Sequence, residues 1–352
     1  MRFTDITIRV PKNLLEKVSQ MVASHGQTVD SFTTMAWMEC LLETADPHPR
    51  RIEHNSNNTL LPGKALENVS KDGIDIGSLQ AAGDDEFTYQ GHLWGQFHRH
   101  LPVKFTLRHL ALLLQQADGP YVPTSEWYAS VRATANDAWK ALRAMDRQFM
   151  KSRGEQLASG FPKPTDKDGK VDKERIQKGL SRFIRHFCVD GKDSQHPAGM
   201  PAELGFIAVR EDKRGQMEVG LTQKGLDFVL LENPIFDVEP WGDALHQAEV
   251  TFLINHTKTS LPKDLRLMIN LLEWVHNEGA TGASDLDKKM EINYGETTPW
   301  GYNAATCSTY KGGAMGRLSE MKLLKRRWEN RMAVYSVSET GIAFLEEMEM
   351  KK

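Results

Sequence analysis

One short pattern occurs twice in this chain and constrains its architecture more than any other feature. Residues 221–229 read LTQKGLDFV and residues 337–345 read VSETGIAFL. Each copy has an apolar residue, a hydroxyl residue, two polar residues, a glycine and an apolar run. A Ser or Thr in that place is a typical helix N-cap. The sequence therefore predicts the same strand-to-helix junction twice, and with it two copies of one structural unit.

Helices and then a hairpin are predicted ahead of the first copy. Apolar residues at helical spacing mark a helix with Leu107, Leu110 and Leu114, which ends before Asp118-Gly119-Pro120. A second, short helix is capped by Thr124 or Ser125, and a third covers residues 133–150. Two strands then flank the turn at residues 213–215.

The second copy follows the same order of elements. Residues 261–279 predict a helix that Gly279 ends, and residues 283–292 predict a shorter one. Residues 308–341 then run from a helix into a hairpin. The expected fold class is mainly α with short β-hairpins, an α+β fold.

Three helices followed by a β-hairpin resemble the winged-helix domains of prokaryotic DNA-binding proteins. The run RLSEMKLL at residues 317–324 is similar to the recognition helix of that superfamily and its exit into the first wing strand. The resemblance implies that this helix and the charged hairpin beside it contact DNA.

The N-terminal segment resembles a different family. Residues 4–45 combine a strand alternating at Ile6, Ile8 and Val10, a proline-opened helix, a Gly turn and a second helix. This order resembles the ribbon-helix-helix family, in which two chains pair their strands in the major groove. The resemblance implies base contacts by Thr7 and Arg9 and a phosphate contact by Thr28. With four basic and five acidic residues this segment has a net charge of −1, which favours a role in joining two chains.

These patterns predict five regions. Residues 1–45 form the ribbon-helix-helix-like head, and residues 46–90, rich in Pro, Asn, Gly and Ser, form a linker. Residues 91–235 form the first winged helix, with a basic insertion at about 151–178. Residues 236–260 form a connector, and residues 261–352 form the second winged helix.

Charge suggests where nucleic acid would bind. The whole chain has a net charge of −3, but residues 303–334 carry +5 and residues 132–185 carry +7. A solvated helix end explains such a cluster equally well, since Lys and Arg favour the last helical turn. The DNA contacts expected from the two clusters are Arg132, Lys140, Arg143, Arg147, Thr309, Lys311, Arg317, Lys322, Lys325, Arg326, Arg327 and Arg331.

The sequence offers little support for an enzyme. It contains no phosphate-binding loop, nucleophile elbow or zinc-protease motif, so no catalytic residue, metal or cofactor is expected. Four histidines, His92, His98, His100 and His109, are interpreted as packing or surface residues. Five tryptophans are expected in the core: Trp94, Trp127, Trp139, Trp274 and Trp328. Three dispersed cysteines, no signal peptide and no long apolar run predict a cytoplasmic protein without membrane contact.

The sequence therefore favours a sequence-specific DNA-binding protein, a dimeric transcriptional regulator. Its partners would be double-stranded DNA and a second copy of the chain, paired through the N-terminal strand. One alternative is a plasmid or phage replication or partition factor, since tandem winged helices also resemble replication initiators. The other is an adaptor whose winged helices bind a partner protein.

Overall fold

The structure is a computed structural model, and it describes residues 66, 68–83, 87–153, 156–165, 173–189, 197–237, 243–279, 282–329 and 332–350, without the side chains of 148–153. All of these residues belong to one compact unit, Leu60–Lys352. The predicted head, with Thr7, Arg9 and Thr28, and the predicted contact Arg331 lie outside the described residues.

The first set of elements spans Leu101–Leu230. Its five helices are α1 (Leu101–Leu114), α2 (Thr124–Arg153), α3 (Lys173–Phe187), α4 (Met200–Glu203) and α5 (Gln223–Leu230), and its three strands are β1 (Val122–Pro123), β2 (Ile207–Glu211) and β3 (Met217–Leu221). The strands form an antiparallel sheet in the order β1-β3-β2, in which Val219 lies between Val122 and Val209.

Two helices predicted between Thr124 and residue 150 are a single helix in the structure. Helix α2 is continuous because no Gly or Pro interrupts it, and because buried Val131, Ala135, Ala138 and Leu142 extend one apolar stripe along it. The third helix of the set is instead α3, which begins inside the span assigned to a basic insertion. Its buried face consists of Leu180, Phe183, Ile184 and Phe187.

The second set of elements spans Pro262–Glu349. It contains α7 (Pro262–His276), α8 (Ala283–Tyr294), α9 (Ala304–Glu320), β4 (Leu324–Glu329), β5 (Met332–Val337) and α10 (Glu339–Glu349), and α6 (Gln247–Ser260) precedes it. Strands β4 and β5 form an antiparallel hairpin, and a single bridge joins Gly282 to Val334 of β5. The residue before the second helix therefore pairs with the last strand, as β1 does with β3 in the first set.

The repeated sequence pattern forms the same junction in both sets. The hydroxyl of Thr222 accepts from Gly225 N–H at 3.1 Å, and that of Ser338 accepts from Gly341 N–H at 3.0 Å. The predicted hydroxyl caps are thereby confirmed. Both hydroxyls also donate to a backbone carbonyl, Thr222 to Gly205 and Ser338 to Lys322. Gly205 and Lys322 share a positive φ, 68° and 60°, so the match extends to the turn that opens each hairpin.

Two regions predicted as connecting segments belong to the packed fold. The described part of residues 46–90 forms two 3-10 turns, Lys71–Gly73 and Ile76–Ser78, and buries Val69 and Ala82. Ala82 N–H donates to the Leu221 carbonyl at 2.7 Å. The region 236–260 is mostly helix α6, which starts at a capping box of His246 and Glu249 and buries Val250 and Leu253. Burial of a few apolar side chains is enough to pack a segment against the fold, even where most of its residues are polar.

The two sets are joined by buried charged groups. Glu320 at the end of α9 accepts hydrogen bonds from the backbone N–H groups of His100 and Leu101 at the start of α1, and it pairs with Arg99 Nε at 2.8 Å. Lys104 of α1 also pairs, at 2.9 Å, with Glu249 of α6, the helix that leads into the second set. Desolvation is costly for such groups unless each is paired, so these contacts fix one arrangement of the two sets.

The described residues form a mainly helical α+β fold with small antiparallel sheets. None of their helices is both long enough and apolar enough to cross a membrane.

Candidate nucleic-acid interface

A concave surface extends from the β4–β5 hairpin across the first set of elements. It consists of three adjoining hollows of about 400, 480 and 620 Å³, which share lining residues such as His98, Ser159 and Phe161. We call it the basic groove. Its described lining includes the buried Arg99 and seven further Arg or Lys side chains: Arg143, Arg147, Lys163, Arg175, Lys178, Arg182 and Arg326.

The electrostatic field of the basic groove is set by these side chains. Glu174 is the one carboxylate among the described lining residues, and it pairs with Lys178 at 2.5 Å on the exposed surface. Burial lowers the pKa of His98, and burial together with Arg185 lowers that of His186 to about 4. Both histidines are therefore neutral near pH 7, and the positive charge of the basic groove comes from Arg and Lys alone.

Helix geometry explains how the cations reach one surface. Arg175, Lys178 and Arg182 are three and four residues apart on α3, so they share the face opposite its apolar stripe. Arg143 and Arg147 are one turn apart on α2. Lys163 lies on the loop 156–165, which is fixed because the buried carboxylate of Asp146 accepts from Leu157 N–H at 2.7 Å and from Ala158 N–H at 3.0 Å.

The end of the basic groove beside the hairpin, the wing end, has an aromatic wall. Arg326 lies opposite Tyr335 and Trp328 lies opposite Ala333 in the β4–β5 register, so all four side chains are on one face of the hairpin. The Arg326 guanidinium is 4.7 Å from the centre of the Trp328 ring. Facing them are Gly312, Gly316 and Ser319 of α9, with His98 and Ser159 beyond.

Three of the predicted DNA contacts line the basic groove: Arg143, Arg147 and Arg326. Five others lie on the surface but outside the lining residues. Arg132 and Lys140 are exposed on α2, where Lys140 pairs with Asp137 at 2.8 Å. Lys325 and Arg327 are exposed on the other face of β4, and Lys322 pairs with Asp243 at 2.6 Å.

Two predicted contacts are corrected because the structure buries them. Arg317 is 0% exposed, binds both oxygens of Asp264 at 2.7 and 2.9 Å, and donates to the Phe97 carbonyl at 2.6 Å. Lys311 is 8% exposed and pairs with Asp287 at 2.6 Å. Both cations stabilise the interior and do not face a ligand. Thr309 is half-buried, and its hydroxyl donates to the Ala305 carbonyl within α9.

Four cations of the basic groove were not selected from the sequence: Lys163, Arg175, Lys178 and Arg182. The spacing of the last three on an amphipathic helix is the signal that identifies them. The expectation that all five tryptophans pack in the core is also corrected. Trp127 and Trp274 are buried, but Trp94 is exposed and Trp328 is 63% exposed.

Three of the four histidines, His92, His100 and His109, are buried among other side chains, and His98 lines the basic groove. His109 lies between Ser130 and Thr134, each 2.9 Å from a ring nitrogen, and burial lowers its pKa to about 4. His100 contacts Glu320, and His92 packs against Trp300. No cluster of three potential metal ligands occurs among the residues that the structure describes.

Comparison with known proteins finds no match for this chain: no protein-family profile, no curated protein and no solved structure is similar to it.

Proposed function

We propose that this chain is a sequence-specific protein that binds double-stranded DNA through the basic groove and acts as a dimeric transcriptional regulator. The main observation in support of this proposal is the basic groove. Seven cations from three helices or loops and one hairpin line one concave surface of a chain whose net charge is −3. Local concentration of positive charge on one surface is what phosphate binding requires.

The order of elements supports two winged-helix domains as the framework. In both sets, helices precede an antiparallel hairpin, and the chain just before the second helix pairs with the last strand of the hairpin. The β4–β5 hairpin then corresponds to a wing, with Lys325, Arg326 and Arg327 exposed along its first strand. A wing of this charge suits contact with a duplex backbone.

Dimerisation is proposed from the N-terminal segment alone. A single strand with the alternation of Ile6, Ile8 and Val10 needs a partner strand, because an isolated strand is unstable in water. Pairing between two chains would double the phosphate contacts that the two basic grooves offer.

Reversing charge in two of the hollows of the basic groove tests this proposal. Arg147→Glu combined with Arg326→Glu changes two exposed side chains, so folding should be unaffected. We expect affinity for duplex DNA to fall roughly 10- to 100-fold, and the slope of log K against log salt concentration to decrease by roughly 2, since each phosphate contact contributes about 0.9. Fluorescence anisotropy with selected duplexes at several salt concentrations measures both.

The matched control is Lys224→Glu combined with Lys288→Glu, two exposed lysines that do not line the basic groove. This variant should lose little affinity. Equal weakening by the two double variants, or wild-type binding that does not depend on salt, would contradict the proposal. Selection from a random duplex library then determines whether binding is sequence-specific.

A further inference from the structure

The wing end of the basic groove has the size and lining of a pocket for one planar ring. Its volume is about 400 Å³, within the range of roughly 300–1,000 Å³ that small ligands occupy. A paired double helix cannot enter a hollow of that size. A single base that has left the helical stack can enter it.

The wall of this pocket presents planar groups for stacking. Trp328 is 63% exposed, and the guanidinium of Arg326 lies against its ring at 4.7 Å. Indole and guanidinium planes both stack on nucleobases, without preference for sequence. Most of the Trp328 surface is still in water, and a stacked base would cover part of it.

The side of the pocket opposite Trp328 and Arg326 has a surface without protruding side chains and several hydrogen-bonding groups. Helix α9 continues through Gly312, and a Cβ atom at that position would meet no other atom within 4 Å. The absent side chain therefore keeps the pocket open. The Ser319 hydroxyl is buried without a protein partner, and Ser159 contacts His98 Nε2 at 3.2 Å. Such groups can hydrogen-bond the edge of a base.

We propose that the wing end holds one unpaired nucleobase, stacked against Trp328 and Arg326, while the phosphates of the same strand follow the cations of the basic groove. This inference rests on the proposed function and adds to it a preference for one kind of duplex. The protein would bind a duplex more tightly where one base is unpaired than where every base is paired. Unstacking a base costs less when it has no partner, so the unpaired site is favoured.

The test uses the full chain and two duplexes of the same sequence, one fully paired and one with a single unpaired 2-aminopurine. We expect about tenfold tighter binding of the second duplex, the effect typical of one stacked base. We also expect quenching of the 2-aminopurine fluorescence. Trp328→Ala should abolish both effects, and Trp328→Phe should retain part of them.

A second variant blocks the pocket without touching the aromatic wall. Gly312→Leu places a side chain in the open space, favours the helix, and should also abolish the preference for the duplex with an unpaired base. The control is Met332→Ala, which removes a 67% exposed apolar side chain from the other face of the same hairpin. It should leave the preference intact.

Equal affinity of the wild-type chain for the two duplexes, or a preference that persists in Trp328→Ala, overturns this inference and leaves the proposed function standing. Failure to bind either duplex overturns both. The two failures are therefore distinguishable in one set of titrations.

Discussion

At the scale of single residues, Arg317 shows why charge in a sequence does not identify a binding site. It belongs to the most basic segment of the second set, yet it is fully buried and held by Asp264. Asp264 also accepts from Leu93 N–H at 3.2 Å, so this ion pair is linked to the backbone on both sides. Removing one member of a buried pair leaves the other charged and unsolvated.

Asp264→Leu should therefore lower the free energy of unfolding by about 3–5 kcal/mol. Combining it with Arg317→Met should recover much of the loss, because the double variant buries no unpaired charge. Urea denaturation of the two variants and the wild-type chain measures the difference. A single variant that costs less than about 1 kcal/mol would show that Arg317 is solvated, contrary to its burial.

At the scale of elements, the junction between hairpin and helix is determined by a short local pattern. The glycine three residues after each capping hydroxyl is required by close approach of the backbone. A Cβ atom at Gly341 would lie 2.2 Å from the Leu323 carbonyl oxygen, and one at Gly225 would lie 2.0 Å from that of Phe206. The pattern can be recognised in the sequence because the hydroxyl cap and the glycine are only three residues apart. The carbonyl that the glycine approaches lies at the other end of the same hairpin.

The same substitution at two glycines should therefore have opposite effects. Gly341→Ala should destabilise the protein by about 1–3 kcal/mol, since the backbone must shift to relieve the overlap. Gly312→Ala, in the open middle of α9, should stabilise it by about 0.5–1 kcal/mol through higher helix propensity. Thermal denaturation of the two variants and the wild-type chain measures both changes in stability. Stabilisation by Gly341→Ala would show that the close contact with Leu323 is absent.

At the scale of the whole molecule, the two sets of elements share ionisable groups where they meet. Glu203, at the end of α4, accepts from Trp94 N–H and pairs with the Tyr89 hydroxyl. Burial raises its pKa from 4.5 to about 7, against the lowering effect of these hydrogen bonds and of Arg317 from the second set. Glu320, at the corresponding end of α9, has its pKa lowered to about 2, chiefly by Arg99 against the opposing effect of burial.

The raised pKa of Glu203 predicts a pH dependence of stability. Between pH 4.5 and about 7 the folded state keeps a proton that the unfolded state releases, so this group's contribution to the unfolding free energy falls as pH rises. Glu203→Gln cannot ionise and should gain stability relative to the wild-type chain across that range, with no further gain above it.

Urea denaturation at pH 5, 6, 7 and 8 measures this relative gain. The comparison with the wild-type chain is necessary because buried histidines such as His92 and His256, whose pKa values are lowered to about 4, act in the opposite sense below pH 6.5. A stability difference that stays constant with pH would show that Glu203 is ionised throughout.

The sequence by itself determined part of the local structure of this protein. The helical spacing of apolar residues in α1 and α7, the caps at Thr222 and Ser338, and the repeated order of helices and hairpin all follow from residues close together in the chain. It also identified Arg143, Arg147 and Arg326 as surface cations. Each of these features depends on interactions that span only a few residues.

Only the tertiary structure decided which charged residues lie inside and which meet on one surface. Glu320 binds Arg99, 221 positions earlier in the chain, and the hairpin residue Arg326 lines the same surface as Arg182 of α3. Burial of Arg317 and exposure of Trp328 likewise depend on packing between distant segments. Charge and hydrophobic pattern are local properties of a sequence, whereas burial and the shape of a groove are set by contacts between segments far apart in it.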